Sequence, residues 1–212
     1  MNPNPHRRRV LLATAAWLLA RGARATARLD PTPAQSAGPF YPTEPPLEAD
    51  ADLTRVRGAD GIAQGRVTDL SGRLLDRNGQ PIPHTRIEIW QCDATGRYHH
   101  PLDSGGARDP NFQGFGRTVT DAEGRYRFRT IRPVPYPGRT PHIHLAVFPS
   151  GEPPFITQLY VRGEPRNAGD FLFDRIPPER RPLVLADFDP VQRDGVELAA
   201  NFDLILAVTP RG

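Results

Sequence analysis

The chain of 212 residues contains no lysine, so all 27 of its basic residues are arginine. Cysteine is almost absent as well, because Cys92 is the only one, and this excludes an intramolecular disulfide. Cys92 lies in an apolar run, which favours a buried, unreactive thiol. A chain without disulfides has to be stabilised by its hydrophobic core, by a bound metal or by association with other copies.

Sequence motifs of several enzyme classes are also missing. There is no P-loop, GxGxxG fingerprint, CxxC pair or GxSxG motif. No stretch after residue 27 is apolar enough to span a membrane, so we expect no stable membrane span after processing. Residues 1–27 hold five arginines and no acid, so their removal lowers the net charge from +3 by five, to −2. The mature chain is not basic, which argues against a nucleic-acid partner.

The first 27 residues predict an export signal. A basic stretch (Arg7–Arg9) precedes an apolar one (Val10–Ala20), and A-x-A cleavage patterns begin at Ala23 and Ala25. Consecutive arginines before the apolar stretch favour the twin-arginine route, although an ordinary secretory signal or an uncleaved anchor has a similar pattern. We therefore expect a periplasmic or secreted protein.

The remaining residues predict an all-β fold. The 25 prolines and 19 glycines favour many short strands and turns over long helices. Residues 28–60 are rich in proline and acid and predict an extended arm. Residues 61–212 alternate between apolar segments and turn signals such as Asn78-Gly79. We predict a β-sandwich of mainly antiparallel strands with long loops and at most short helices, one of them within 176–188.

Two histidines, His142 and His144, stand one residue apart at the start of the apolar run HIHLAVF. In a strand, residues i and i+2 share a face, so the two imidazoles project side by side. The opposite face (residues 143, 145 and 147) is apolar too, which predicts a central, buried strand. Buried imidazoles need polar partners, and a metal ion satisfies both at once. Core histidines with ordinary hydrogen bonds remain the alternative at this point.

Two tyrosines outside the predicted strands strengthen the metal hypothesis. Tyr98 follows a strand, and Tyr136 lies between prolines in a loop six residues before His142. By contrast, Tyr126 and Tyr160 fit the buried faces of strands. Phenolate is a hard anion that suits a hard cation such as Fe(III), whereas zinc prefers cysteine, histidine or carboxylate.

Three segments resemble, in order, the motifs of the intradiol ring-cleavage dioxygenase family. They are LSGRLLDRNGQPIPHTRIEIWQCDATGRY (Leu70–Tyr98), YPGRTPHIH (Tyr136–His144) and ITQLYVRGEP (Ile156–Pro165). The resemblance covers about residues 35–208. Within the family, the chain is similar above all to the protocatechuate 3,4-dioxygenase group. The export signal resembles that of secreted members.

This resemblance implies a β-sandwich enzyme with non-haem Fe(III) as its cofactor. With O2 it would cleave a catecholic ring between the two hydroxylated carbons, giving a cis,cis-muconate-type diacid. The implied iron ligands are Tyr98, Tyr136, His142 and His144. Tyr136 would leave the iron when substrate binds and accept a substrate proton, and it would be catalytic together with Arg139 and Gln158.

The resemblance also implies a role for the arm. The segment AQSAGPFYP resembles an arm that covers the substrate and that lies in the partner subunit of protocatechuate dioxygenases. Its implied substrate-binding residues are Gly38, Pro39, Phe40 and Tyr41. Self-association into a homo-oligomer fits this family. The arm would then cover either the site of its own chain or the site of a neighbouring subunit.

The chain departs from the family pattern in the loop between Tyr136 and His142. That loop is shorter than in protocatechuate dioxygenases and lacks their tryptophan, which leaves the identity of the catechol open. The helical N-terminal dimerisation segment of catechol and hydroxyquinol dioxygenases is absent too, which argues against those branches.

Other interpretations remain open from the residues alone. Residues 66–131 also resemble transthyretin-like sandwich modules, which carry no metal and have no need of YPGRTPHIH. A metal-free, degenerate dioxygenase fold is a second alternative, and a zinc or copper ion held only by the two adjacent histidines is a third. We predict His84 in a surface turn, and His99 and His100 as exposed or as part of a loop.

Overall fold

The computed structural model describes residues 28–42, 44, 46 and 48–207, so the predicted export signal lies outside the described residues. This part of the chain forms strands and only two short 3-10 helices, Pro165–Asn167 and Pro178–Val184, which confirms the all-β prediction. Within the same ranges no helix has the length and apolar character needed to cross a membrane. The strands are β1 (Val67–Asp76), β2 (Arg86–Trp90), β3 (Phe115–Val119), β4 (Arg125–Ile131), β5 (His142–Phe148), β6 (Phe155–Val161), β7 (Leu185–Ala186), β8 (Asp189–Arg193), β9 (Val196–Asn201) and β10 (Leu204–Leu206).

The strands form two five-stranded sheets. One has the order β10-β1-β9-β8, and its fifth strand, β4, also pairs with β1. The second has the order β3-β2-β5-β6-β7. Five of the pairings are antiparallel, whereas β1 with β9, β1 with β10 and β6 with β7 are parallel. We call the second sheet the site sheet, because β5 with its two histidines lies at its centre.

The hydrophobic core lies between the two sheets. It joins Leu70 and Phe128 of the first sheet to Ile87, Ile143 and Leu145 of the site sheet, and all five side chains are fully buried. The side chains of a strand that face such a core are every second residue and are apolar, as residues 143, 145 and 147 of β5 are. The sequence prediction that β5 is central and buried is therefore confirmed, with its histidines on the face away from this core.

The arm residues cover that outer face of the site sheet. Backbone N–H groups of the arm donate to the sandwich at two points on opposite sheets, Thr32 to Ile205 (2.9 Å) and Gln35 to Ile156 (2.8 Å). Farther along, the Tyr41 hydroxyl donates to Glu88 Oε2 at 2.7 Å. Glu88 is buried although it stands on the outer face of β2, because the arm replaces solvent there.

Some strands have no clear sequence signal. β3 and β8 lack the alternation of the other strands, and β8 (DPVQR) has no buried residue at all. Backbone pairing to neighbouring strands holds them in place, which a single-strand pattern does not record. The predicted short helix is present as the 3-10 helix Pro178–Val184, and Pro182 inside it is unsuited to an α-helix.

Candidate metal centre

The strand register sets the neighbours of the two histidines. On β2, Trp90 lies opposite His144, and on β6, Gln158 lies opposite the same residue. His142 lies opposite Tyr160 of β6. Directly opposed residues share a face of the sheet, so these five side chains form one polar and aromatic patch beneath the arm.

The two imidazoles converge through their Nε2 atoms, which are 3.1 Å apart. His142 Nδ1 lies 2.6 Å from the carbonyl oxygen of Thr140, so Nδ1 carries the proton and Nε2 keeps its lone pair. The His144 ring is stacked on Trp90, with ring centres 4.8 Å apart and planes 7° apart, which fixes its orientation.

Two phenols complete the cluster from neighbouring loops. The Tyr98 ring lies 5.4 Å from that of Tyr136 and 6.3 Å from that of His144. Tyr136 also lies 5.6 Å from His142, measured between ring centres. Gly96 allows the two loops to approach, because a Cβ at this position would be 3.1 Å from the Pro135 carbonyl oxygen.

Burial governs the electrostatics of this cluster. It raises the pKa of Tyr98 well above its ordinary value and lowers the pKa of His144 well below its own. Burial, and then the charge of Arg139, lower the pKa of His142 to about 3. The apoprotein therefore holds neutral imidazoles and neutral phenols, and a bound cation would be needed to stabilise a phenolate at Tyr98.

The residues present fit a hard, highly charged cation. Two nitrogen ligands at right angles, each about 2.1 Å from one ion, stand about 3 Å apart, close to the observed Nε2 separation. Among the described residues the buried Tyr98 hydroxyl forms no well-aligned hydrogen bond, although the Tyr136 side chain lies close to it. Among the described residues no three His, Cys, Asp or Glu side chains form a metal-binding group, so the zinc or copper alternative lacks a third ligand of that kind. The set of two imidazoles and two phenols suits Fe(III).

Arg139 lies beside the same cluster and is held on several sides. Its Nη1 lies 3.4 Å from His142 Nε2 and 3.5 Å from the Tyr136 hydroxyl. Its Nη2 donates to Gln158 Oε1 at 2.7 Å, and its Nε donates to Asp170 Oδ2 at 2.8 Å. The Arg139 side chain is only 6% exposed, and its Nη1 faces the cluster.

The four predicted arm residues differ in their relation to the cluster. Gly38 has a positive φ of 68°, and a Cβ there would lie 3.5 Å from His144 Cε1, so its backbone covers that ring. Phe40 is stacked on Tyr98, with ring centres 4.5 Å apart. Tyr41 instead contacts Trp90 and Glu88, and Pro39 is exposed. The arm of this chain reaches its own cluster.

Known proteins resemble this chain in sequence and in fold. Residues 37–207 match the family described as Dioxygenase. The chain is 39% identical over 180 residues to the protocatechuate 3,4-dioxygenase beta chain of Burkholderia cepacia, covering 79% of this chain and 76% of that one. It is 32% identical over 162 residues to a hydroxyquinol 1,2-dioxygenase of Corynebacterium glutamicum, covering 67% of this chain but 50% of that protein. The solved dioxygenase domain of a dioxygenase–carbohydrate-binding protein fusion from Streptomyces sp. SirexAA-E matches with a TM-score of 0.63 and 34% identity, covering 85% of this chain and 100% of that chain.

The chain belongs to the intradiol ring-cleavage dioxygenase family. It is an enzyme, an oxidoreductase that incorporates both atoms of O2 into its substrate. The transthyretin-like alternative is wrong, because the match extends through the histidine motif to residue 207.

The structure adds three residues to the dioxygenase site that the sequence did not indicate. Asp170 is buried and accepts from Arg139 and from the Thr140 backbone N–H. The Tyr160 hydroxyl lies 3.1 Å from Gln158 Oε1 and 2.9 Å from Gln35 Oε1, so it links the arm to the site. Tyr160 matches a core pattern, and Asp170 and Gln35 lie in irregular segments, so neither periodicity nor spacing marks them.

The structure also tests the predictions made for His84, His99, His100 and Cys92 of the dioxygenase. His84 is exposed in a turn with φ 51°, as predicted. His99 and His100 lie in a loop, as the prediction allowed, and His100 is only 5% exposed because Phe40 and the loop around it cover its ring. Cys92 is buried as expected, and burial raises the pKa of its thiol to about 12.

Proposed function

We propose that this dioxygenase uses non-haem Fe(III) to cleave a catecholic ring between its two hydroxylated carbons, giving a cis,cis-muconate-type diacid. The ligands in this proposal are Tyr98, Tyr136, His142 and His144. The supporting observation is the convergence of two phenols on a pair of imidazole Nε2 atoms 3.1 Å apart. When bound there, Fe(III) would hold the two adjacent oxygens of the catechol and activate the ring toward O2.

Tyr136 is the phenol with room to move away from the other three groups. It is partly exposed, whereas Tyr98 is only 2% exposed. A cavity of about 500 Å³ opens beside Tyr136 and Arg139. A phenolate is a strong base, because the ordinary pKa of tyrosine is about 10, so the Tyr136 oxygen is suited to accept a catechol proton.

Arg139 has the position of an electrostatic stabiliser. Its guanidinium points at the cluster and is fixed by Asp170 and Gln158 before any substrate arrives. A preorganised cation in a buried site stabilises negative charge that develops on the reacting ring. The arm backbone at Gly38 limits the access of water to His144 from above.

The test is the visible absorption spectrum of the iron-loaded protein with and without catechol, in the absence of O2. We expect a red-brown tyrosinate-to-Fe(III) band that shifts when catechol is added, is weakened in Tyr98→Phe, and is lost when Tyr98 and Tyr136 are both replaced by Phe. Tyr126→Phe is the matched control, since Tyr126 is a buried tyrosine that donates to the Phe202 carbonyl oxygen in the core, and it should keep the band. A protein that binds no iron and stays colourless would contradict the proposal.

We also propose that the enzyme acts outside the cytoplasm, after export through the twin-arginine route. The support is the order of basic, apolar and small residues in 1–27. Replacing Arg8 and Arg9 together by lysine should retain the protein inside the cell. Export of this variant at the unchanged rate would argue against the twin-arginine route, and fractionation of cells measures either result.

A further inference from the structure

The cavity beside Tyr136 continues beyond the space needed for a single ring. Its volume is about 500 Å³, and it lies open to solvent. Part of its wall carries little or no side chain, since Gly138 of the shortened loop and Ala168 and Gly169 before Asp170 line it. A Cβ at either glycine would meet nothing within 4 Å. The cavity therefore accommodates a ring substituent of several atoms.

The charged residues that line this cavity are Arg139, Arg166 and Asp170. Arg139 and Asp170 form an ion pair at 2.8 Å, so their charges offset each other. Arg166 is exposed, and within the described part of the chain its guanidinium forms no ion pair or hydrogen bond. Of the two arginines that line the cavity, Arg166 is therefore the one whose guanidinium is free to bind a ligand.

Arg166 is held at a defined place relative to the site. It lies in the 3-10 helix Pro165–Asn167, whose N-cap Glu164 accepts the Arg166 backbone N–H. The next residue, Asn167, is buried, accepts from Thr140 Oγ1 at 2.8 Å and donates to the Val161 carbonyl oxygen at 2.8 Å. Thr140 follows Arg139 directly, so this helix and the reactive part of the site share one rigid support.

We propose that Arg166 is a specificity-determining residue, and that the preferred substrates are catechols bearing a flexible side chain that ends in a carboxylate. The open, small-residue wall admits the side chain, and Arg166 pairs with its terminal carboxylate. This inference rests on the proposed catechol-cleaving function. A carboxylate bonded directly to the ring has no flexible chain of this kind, so protocatechuate serves as the short comparison.

The test compares the Michaelis constants (KM) of the iron-loaded enzyme for three catechols. They are 3-(3,4-dihydroxyphenyl)propanoate, its neutral length match 4-propylcatechol, and protocatechuate. We expect the propanoate to have the lowest KM at low ionic strength. Because an exposed ion pair contributes up to about 1 kcal/mol, Arg166→Gln should raise that constant about five-fold and leave the constant for the neutral propylcatechol unchanged. Arg55→Gln is the matched control, since Arg55 is an exposed arginine outside the cavity.

A second variant tests the space rather than the charge. Ala168→Leu should raise KM for both long substrates and leave unsubstituted catechol unaffected. Anaerobic titration of the visible band gives the dissociation constants independently of turnover. Equal KM values for the propanoate in the parent and Arg166→Gln enzymes would overturn the inference while the catechol-induced shift of the band upheld the proposed function. Absence of that shift for every catechol would overturn the proposed function itself.

Discussion

Two aspartate–arginine groups in this protein use the same chemistry in opposite surroundings. At the site, Asp170 and Arg139 form a pair whose side chains are 0% and 6% exposed. On the outer face of the other sheet, Asp69 accepts from Arg127 at 2.6 Å and from Arg193 at 2.5 Å, and those two arginine side chains are 58% and 55% exposed. The first group is enclosed by protein and the second is open to water on its cationic side.

The two groups differ in the exposure of their arginines, and this difference decides whether the ion pair can position a site residue or only adds charge to the surface. A buried charge that loses its partner is left without water as well, which costs about 3–5 kcal/mol, whereas exposed ion pairs contribute about 0–1 kcal/mol. Asp170 also accepts from the backbone N–H groups of Thr140, Leu172 and Phe173, so it joins two loops to Arg139. The buried pair therefore determines where the site arginine points, and the surface group leaves the site unaffected.

The largest effect is expected from Asp170→Asn. The asparagine amide is nearly isosteric with the carboxylate, but it removes the negative charge that opposes Arg139. Its NH2 group would also face the N–H donors of Arg139 and of the backbone. We expect a loss of about 3 kcal/mol in the free energy of unfolding and a fall in kcat of about 100-fold, since Arg139 loses its fixed orientation. Urea unfolding and steady-state kinetics measure the two effects. A variant with near-parental kcat would show that Gln158 alone positions Arg139.

A smaller effect is expected from Tyr160→Phe, which removes the hydroxyl between Gln158 and Gln35 but keeps the ring in the core. We expect kcat to fall about ten-fold with little change in KM, because the Gln158 amide loses one restraint while the proposed iron ligands are untouched. The iron band should keep its wavelength, which separates positioning from ligand loss. Thr32→Val is the control for a loosened arm, since Thr32 Oγ1 accepts the Ile205 backbone N–H away from the site. Equal losses in both variants would mean that arm docking in general, rather than Tyr160, sets the rate.

The pH dependence of stability distinguishes the buried pair from its Asn variant. Burial alone would raise the pKa of Asp170, but hydrogen bonds from Arg139 and backbone amides outweigh it and lower that pKa below its ordinary value of 3.8. The folded protein thus binds the proton less readily than the unfolded chain does. The stabilisation is present above pH 3.8 and is lost as the pH falls through the lowered pKa. The stability difference between the parent and Asp170→Asn should therefore shrink between pH 5 and pH 2 in urea unfolding. A constant difference across that range would contradict the lowered pKa.

The fold and the candidate ligands are predictable from the sequence because the features that indicate them are local in the chain. Strand periodicity places His142 and His144 on one face, and the motif spacing marks Tyr98 and Tyr136, because these features are local in the chain. The register that brings β2 and β6 beside β5 depends on pairings between distant residues. Only the fold therefore shows which side chains surround the candidate ligands.

The residues that support Arg139 illustrate this limit. Asp170 is 31 positions away in sequence and Gln35 is 125 positions away from Tyr160. Aspartate in a glycine-containing loop and glutamine in an extended arm are ordinary surface residues by composition. Their burial and pairing follow from long-range contacts, so sequence patterns do not indicate them.

The smallest effect is expected from Arg127→Gln on the opposite sheet. Asp69 keeps Arg193 and Arg129 as partners, the latter at 3.2 Å, and the lost guanidinium was mostly in water. We expect a change below about 1 kcal/mol in the free energy of unfolding and an unchanged kcat. The effect should fade further at high ionic strength, because salt screens exposed charges. A destabilisation as large as that of Asp170→Asn would mean that the surface group acts as one buried network, and the exposure of the arginines would then not be what separates the two groups.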